Sequence, residues 1–591
     1  MTTPPAPVPS PPPWRHCAHG ADPGTDPIGC TGIHVPGCTL CLAHLTDRDR
    51  NIYLASLVPG ASIDHRGTLF TEPLLTSLLQ CLRDPNTQNP HLGDARFDGA
   101  HFSGDARFDR AHFSGDARFD GTQFSGTAGF YLVWSSGTVG FRGAQFSGTA
   151  EFYRSQFSGD ARFDRAQFSG DARFDEAQFS KAAGFNGAQF SMKAEFNRSQ
   201  FGFSAHFIHA RFAVLSQFGP VACARAVFLD SAVFEAPVTL EIAAREVTCV
   251  RTRWESTASM RLRYATVDLS HAVLSSPVAV TAHPTPFRAI TTVDESLLAG
   301  PAGVRVASVQ GVDAAHLVLT DVDLANCLFT GSFHLDQLRL EGHCTFASVP
   351  AGWHRRGMWP VRWTRRRTLA EEHHWRALCA GQPAPDPSQP SSPGAWRTGP
   401  HHPGTVLSPD PDDVAAVYRQ LRKAFEDGKN EPGAADFYYG EMEMRRHDHT
   451  LGTSRAERGL LHGYWLLSGY GLRASRALGW LAAAMLATII LLMGFGIPEN
   501  SPQQKVSGTV LPGGGRAVFV IDKADPQSPT EDRFTGKRFN KALSVTLNSV
   551  AFRSTGQDLT TAGAYIEMTS RLLEPALIAL AILAVRGRIK R

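Results

Sequence analysis

The stretch that decides the fold is GDARFDGAHFSGDARFDRAHFSGDARFDG, residues 93–121. It carries Phe97, Phe108 and Phe119, eleven residues apart, with Phe102 and Phe113 between them. The first series continues without a gap to Phe218, and the second runs from Phe102 to Phe212, broken only at Ser135. Of the 37 Phe in this 591-residue chain, 23 lie between Phe97 and Phe218. The spacing therefore alternates five and six. A helix is excluded, because at about 100° per residue such steps scatter the rings around its whole surface. The period-two alternation of a simple strand fails as well. A coil that turns a corner every five or six residues puts every Phe inside. Ala95, Ala100, Ala106 and Ala111 each stand two residues before a Phe, so small and large inward positions alternate and fill a narrow tube. Phe97, Phe102, Phe108, Phe113, Phe119, Phe163, Phe168, Phe174 and Phe179 are predicted rungs of that core.

Ala95-Arg96-Phe97-Asp98-Gly99 and Ala100-His101-Phe102-Ser103-Gly104 match the spacing of an A-(D/N)-(L/F)-x-x motif. On these residues the chain resembles the pentapeptide-repeat family, in particular bacterial membrane-associated members. Arg or His stands where that family often has Asp or Asn, and the extra Asp105 makes each pair of repeats eleven residues long. The resemblance implies a mainly-β fold, a right-handed quadrilateral β-helix of about four repeats per coil. Residues 91–221 form the Phe ladder. Leu319, Leu324, Phe329, Leu335, Leu340 and Phe346 again step by five or six, so residues 222–350 are read as degenerate coils.

Between Asp94 and Arg211 there are 13 acids and 13 bases. Some members of the resembled family imitate DNA with acidic surfaces. A balanced ladder predicts a solvated, salt-bridged face instead, and the chain's net charge of +3 gives no bulk attraction to nucleic acid. No nucleic-acid partner is expected.

Upstream, residues 1–13 are a Pro-rich tail, expected to be extended. No charged start is followed by an apolar run, so no secretory signal is expected. Residues 14–90 read as a small Cys/His-containing cap, with helical spacing from Glu72 to Leu82. Cys17, Cys30, Cys38 and Cys41 fall there among His16, His19, His34 and His44. Cys38-x-x-Cys41 has the spacing at which two thiolates bind one tetrahedral ion from a tight turn. With Cys17 and Cys30 it makes a candidate structural zinc site, and His19 and His44 are alternative ligands. The other readings are free thiols, or a redox pair that lacks the strand–CxxC–helix context. Zinc is the one cofactor expected.

Residues 351–380 interleave Trp and Arg and are read as a helix capping the open end of the solenoid; a patch for anionic lipid or RNA is the alternative. Glu371-Glu372-His373-His374 lacks the HExxH spacing of a metallohydrolase. A Pro-rich linker covers 381–411, and a helical hairpin covers 412–447. That hairpin is similar to the tetratricopeptide-like segment that precedes membrane helices in some bacterial pentapeptide-repeat proteins. In the membrane region, 460–591, Ala477–Ile497 carries no charge over 21 residues, enough to cross a bilayer. A second span is placed at about 564–585, although it contains Glu567, Arg571, Glu574 and Pro575. Basic residues before the first span and after the second predict a hairpin with both ends cytoplasmic, anchored in the bacterial cell membrane.

Lys541–Phe552 and Ser554-Thr555-Gly556-Gln557-Asp558 lie where a pore helix and a filter would lie between two spans. An oligomeric two-span pore with a degenerate filter is therefore the alternative function. The chain contains no G-x-G-x-x-G, P-loop, C-x-x-C-H or G-x-S-x-G pattern. An enzyme is not expected, and the enzyme alternative is a membrane-associated oxidoreductase. The leading expectation is a non-catalytic scaffold. It is anchored in the lipid bilayer, presents a rigid β-helix to an unidentified protein partner, and can form homo-oligomers through the membrane region.

Overall fold

The computed structural model describes residues 11–589 except 23, 25, 288–293, 352, 357–358, 385–393, 401, 403, 405–407, 450–452, 500–503, 510–517, 524–525, 527–531, 552 and 554–555. Most of the Pro-rich tail, 14 of the 31 residues of the 381–411 linker, and Ser554 and Thr555 of the filter-like run lie outside the described residues. The chain folds as two units, residues 1–409 with 423–428 and residues 410–422 with 429–591.

The first unit is a parallel β-solenoid of about 11 turns. Each coil of the ladder has four two-residue strands, for example Ala95–Arg96, His101–Phe102, Ala106–Arg107 and His112–Phe113. Ala95 pairs with Ala117, His101 with Gln123, Ala106 with Ala128 and His112 with Trp134, so two eleven-residue units close one coil. The strands can be this short because the corner N–H groups are satisfied as well, Gly99 donating to the Asp120 carbonyl of the next coil and Ala100 to the Phe97 carbonyl within the turn.

Stacking the coils stacks the rings. Phe97, Phe119, Phe141 and Phe163 form one column with centroids 4.9–5.1 Å apart. Neighbouring columns meet edge to face, Phe108 against Phe119 at 5.3 Å, a favoured aromatic arrangement. All nine Phe named above are buried. Ser135 takes a ring's place between Phe113 and Phe157 and is also buried. At one corner of every eleven-residue unit the chain turns through left-handed backbone: Gly99, Arg110, Gly121, Leu132, Gly143, Arg154 and Arg165 have φ between 53° and 66°.

Past Phe228 the core becomes mostly aliphatic, with Leu240, Ile242, Met260, Leu262, Val278 and Val280 buried, while Phe234 and Trp254 extend one ring column, stacked at 4.4 Å. The coil tightens as well: Val233 pairs with Arg253, and Arg253 with Val273.

Two helices, α1 (Asp47–Ser56) and α2 (Glu72–Cys81), flank the first coil. At the other end the sequence reading needs correction. Residues 351–380 are not one helix. Trp353–Arg356 and Trp359–Arg362 form an antiparallel hairpin, and only α3 (Ala370–Cys379) is helical. Pro360 explains the difference, since it lacks the N–H a helix interior needs. The Glu371 carboxylate of α3 accepts from the backbone N–H groups of Phe329 and Thr330 in the final coils.

In the second unit, α4 (Pro411–Asp427) and α5 (Glu431–His447) form a hairpin. Arg419 and Arg422 both reach Glu441 at 2.9 Å. The Tyr418 ring lies over Gly440, where a Cβ would come within 2.5 Å. Among the described residues four α-helices follow: α6 (Arg455–Ser468), α7 (Ala474–Leu491), α8 (Gly536–Val550) and α9 (Thr561–Ile589). Among the same residues two segments are long and apolar enough to cross a membrane, Ala474–Gly496 and Thr561–Arg586. The second continues helical through Pro575. Its charged residues find partners inside the bundle, Glu567 with Arg571 and Glu574 with the Thr488 hydroxyl at 3.0 Å.

Candidate metal centre

Residues 14–45 lie against the first coil of the solenoid. The Ile33 N–H donates to the Arg66 carbonyl at 2.8 Å, and the Thr31 hydroxyl to the Gly67 carbonyl at 3.1 Å. The Trp14 indole N–H donates to the Thr31 carbonyl at 2.9 Å, and its ring lies under the Arg66 guanidinium at 5.0 Å. The two layers approach closely at Gly67, where a Cβ would run into the Thr31 carbonyl, and at Gly32. A Cβ on Gly32 would stand 2.7 Å from the Cβ of Cys41 and 3.3 Å from the Cα of Thr68. A glycine is therefore required by space.

This close fit draws four ligating side chains together. One ligand atom from each of Cys17, Cys30, Cys41 and His44 lies within 4.8 Å of all the others. The Cys30 and Cys41 sulfurs are 3.7 Å apart; His44 Nδ1 lies 3.6 Å from the Cys17 sulfur and 3.4 Å from that of Cys41. An ion with Zn–S of about 2.3 Å and Zn–N of about 2.0–2.1 Å separates tetrahedral ligands by about 3.5–3.8 Å. Three of the six ligand pairs already stand near that separation and the rest lie within 4.8 Å, so the four groups could hold a metal such as zinc. Cys41 and His44 come from one turn, in which the His44 N–H donates to the Cys41 carbonyl at 3.0 Å. Cys17 is set by its N–H bond to the Gly32 carbonyl at 2.8 Å. The two neighbouring thiols do not titrate alike. A hydrogen bond from Cys41 holds the Cys30 thiol below its usual range, while the same contact, with burial, pushes Cys41 up. Two thiolates this close repel, and a dication between them removes that conflict.

The ligand set differs from the CxxC reading. Cys38 lies outside the group and His44 stands in the fourth place. Cys38 is at the tip of a turn, its N–H donating to the Val35 carbonyl at 2.9 Å, and it lines an open cavity of about 670 Å³ with Ile33, Ile52 and Tyr53. The tip separates the two thiols of the motif. Cys41-x-x-His44 has the same two-residue spacing and is the signal in the sequence for this set. His19 stacks on the His44 ring at 4.2 Å, and His34 bonds to the His16 carbonyl at 2.9 Å.

The family profile for pentapeptide repeats matches residues 88–133 and 136–178, as 9 copies. The matched part of the solenoid is built of pentapeptide repeats. The two matched stretches part at Trp134 and Ser135, where the Phe column is interrupted. The 22-residue register of the pentapeptide repeats continues past the matched residues, pairing Phe190 with Phe212 and Phe212 with Phe234. No curated protein and no solved structure matches the chain.

The outer face of the pentapeptide repeats holds a feature the sequence reading missed. Asp94, Asp105, Asp109, Asp116 and Asp120 do form the acidic rows of a charged face, and Arg107 pairs with Asp105 at 3.0 Å. Their carboxylates also accept backbone N–H groups one coil on, from Asp116, Thr127, Tyr131, Thr138 and Arg142, at 2.8–3.0 Å. Asn186 serves Ile208 in the same way at 3.2 Å. The repeated Asp is a staple between coils.

Proposed function

We propose that this chain is a membrane-anchored, non-catalytic scaffold that offers the pentapeptide-repeat solenoid to a protein partner on the cytoplasmic side. The observation that carries the reading is the pair of long apolar helical segments. Leu478, Leu486 and Ile490 on one, and Leu572, Ile582 and Leu583 on the other, are exposed to the surroundings. An apolar surface of this kind calls for lipid. Arg473 precedes the first segment and Arg476 lies in its first turn, while Arg586 ends the second and Arg588 follows it, which favours cytoplasmic ends on both. Extraction of membranes with alkaline carbonate tests the anchor: the full chain is expected to stay in the pellet, and its release overturns the reading. Photo-crosslinking residues at outward positions such as Gln167 and Arg173 test the scaffold. A discrete partner adduct supports it, and no adduct at any ladder face counts against it. In this reading the ion of the N-terminal cluster is zinc and its role is structural.

A pore is the second reading. It is favoured by α8, which packs between the two long helices, and by Arg538, which donates to the Met493 and Ile497 carbonyls. A working pore needs several copies around one axis. Recording from the purified protein in bilayers decides: silence across salts and voltages removes it. An oxidoreductase would need flavin or haem, and a colourless preparation removes that.

A further inference from the structure

We propose that the Cys17/Cys30/Cys41/His44 cluster is a metal lock that closes the N-terminal edge of the solenoid, with Cys38 outside its ligand set. The proposal rests on the zinc reading above and extends it.

The first coil pairs with the second through Ile63 with Ala95 and Leu69 with His101. On its other side a β-solenoid ends in an edge, whose free backbone groups invite any passing strand, including one from a second copy. Here that edge is covered by the strip Thr31-Gly32-Ile33. It uses the two hydrogen bonds to Arg66 and Gly67 and the close approach of Gly32 to Thr68.

The strip has little of its own to hold it in place. Among the described residues, 14–45 contains no helix or extended strand, only isolated bridges such as His16 with Ile33. Its buried apolar side chains, besides two of the cysteines, are Ile28, Val35, Leu42 and Leu45. A segment of this size with so small a core ordinarily needs a staple.

The cluster is placed to be one. Cys30 immediately precedes the strip. Cys17 is bonded through its backbone to Gly32, in the middle of it, and Cys41 packs against the same glycine. His44 lies three residues before α1 begins at Asp47. One ion would therefore tie the start of the cap, the edge strip and the entry to α1 at a single point. Three thiolates and an imidazole are soft and borderline donors, which select zinc over magnesium or calcium. Without the ion, the cap and first coil should loosen. The ladder further on should not, because each of its coils is held by its own neighbours.

The test uses the full-length chain in detergent or nanodiscs. Elemental analysis is expected to find one zinc per chain. Cys17→Ser, Cys30→Ser, Cys41→Ser and His44→Ala should each lose it, and Cys38→Ser should keep it. Cobalt substituted into the wild type should show the visible bands of a tetrahedral thiolate site, which covers the case where a ligand variant fails to fold. On chelation, amide exchange at residues 30–33 and 63–70 should rise tenfold or more, with residues 139–212 unchanged. No zinc and no cobalt spectrum in the wild type would sink both the zinc reading and the lock. Zinc lost from Cys38→Ser, or kept by His44→Ala, overturns the ligand set. Zinc present but exchange unmoved by its removal overturns the lock and leaves the zinc reading standing.

Discussion

The carboxylate of Asp109 accepts a hydrogen bond from the backbone N–H of Tyr131, 22 residues along the chain and one coil on, at 3.0 Å. The bond joins two coils through a side chain, alongside the backbone ladder. A charge-assisted bond to an N–H stabilises by about 1.5–3 kcal/mol when shielded and by less at a partly wet site such as this one. Asp109→Ala should therefore cost about 1 kcal/mol in local stability, read as faster amide exchange around Phe108 and Tyr131. Asp109→Asn should cost much less, because Asn186 already does the same work toward Ile208. Equal losses from the two variants would mean that charge, and not the acceptor, is what matters.

His65 stands one coil before Phe97, in line with a Phe column, with ring centroids 6.3 Å apart. Its ring also meets Phe70 edge-on at 5.8 Å and is near the Tyr53 hydroxyl at 3.2 Å. Burial lowers its pKa from 6.5 to about 4, with a small opposing pull from Asp64. The unfolded chain thus binds a proton in a range where the folded chain does not. The associated stability is complete above about pH 6.5 and is lost as pH falls toward about 4, by at most about 3 kcal/mol. Protection factors in the first coil, which divide out the intrinsic pH dependence of exchange, should fall as the pH is lowered across that window. His65→Phe, compared with wild type at equal metal loading, should flatten the dependence; an unchanged slope would assign it to another group.

Arg165 turns a corner with φ of 57°. Left-handed backbone costs an L-residue about 1–2 kcal/mol, and glycine avoids this while losing about 0.5–1 kcal/mol of chain entropy. Arg165→Gly should accordingly be neutral to about 1 kcal/mol stabilising, as Gly143 and Gly187 at equivalent corners suggest. Arg165→Val should destabilise by about 1–2 kcal/mol, because β-branching crowds this conformation most. Thermal unfolding of the pair reads the order directly. A valine variant as stable as the glycine one would contradict it.

The ladder was legible because its signal is repeated: Phe97 and its successors carry one instruction at every coil, and no other architecture fits steps of five and six. What was missed depends on single contacts. The 22-residue coil places residue 131 beside residue 109, but nothing in the sequence says that the Asp109 carboxylate turns from solvent to the Tyr131 N–H. His44 displaces Cys38 for a similar reason. Spacing says which groups can share an ion, but the turn at Val35–Cys38 decides which way the thiols go. The Trp/Arg segment has the charge pattern of one helix, but Pro360 lacks the N–H a helix interior needs, and the backbone there pairs as a hairpin instead.

At the C-terminal end of the solenoid, Glu372 is buried and holds both Arg366, at 2.6 Å, and Arg376, at 2.7 Å. The Arg376 guanidinium also lies over the Trp363 and Trp396 rings, at 5.0 and 4.9 Å. Such a group is held in place by mutual dependence: removing one member leaves the others buried without their countercharge. Glu372→Gln should cost about 3–5 kcal/mol locally, while replacing all three charges with apolar residues of similar size should cost far less. Limited proteolysis around α3 compares the two. Early cleavage in Glu372→Gln, with protection in the triple variant, is the expected result. If both are cleaved alike, the triad is needed for the shape of the cap and not merely tolerated within it.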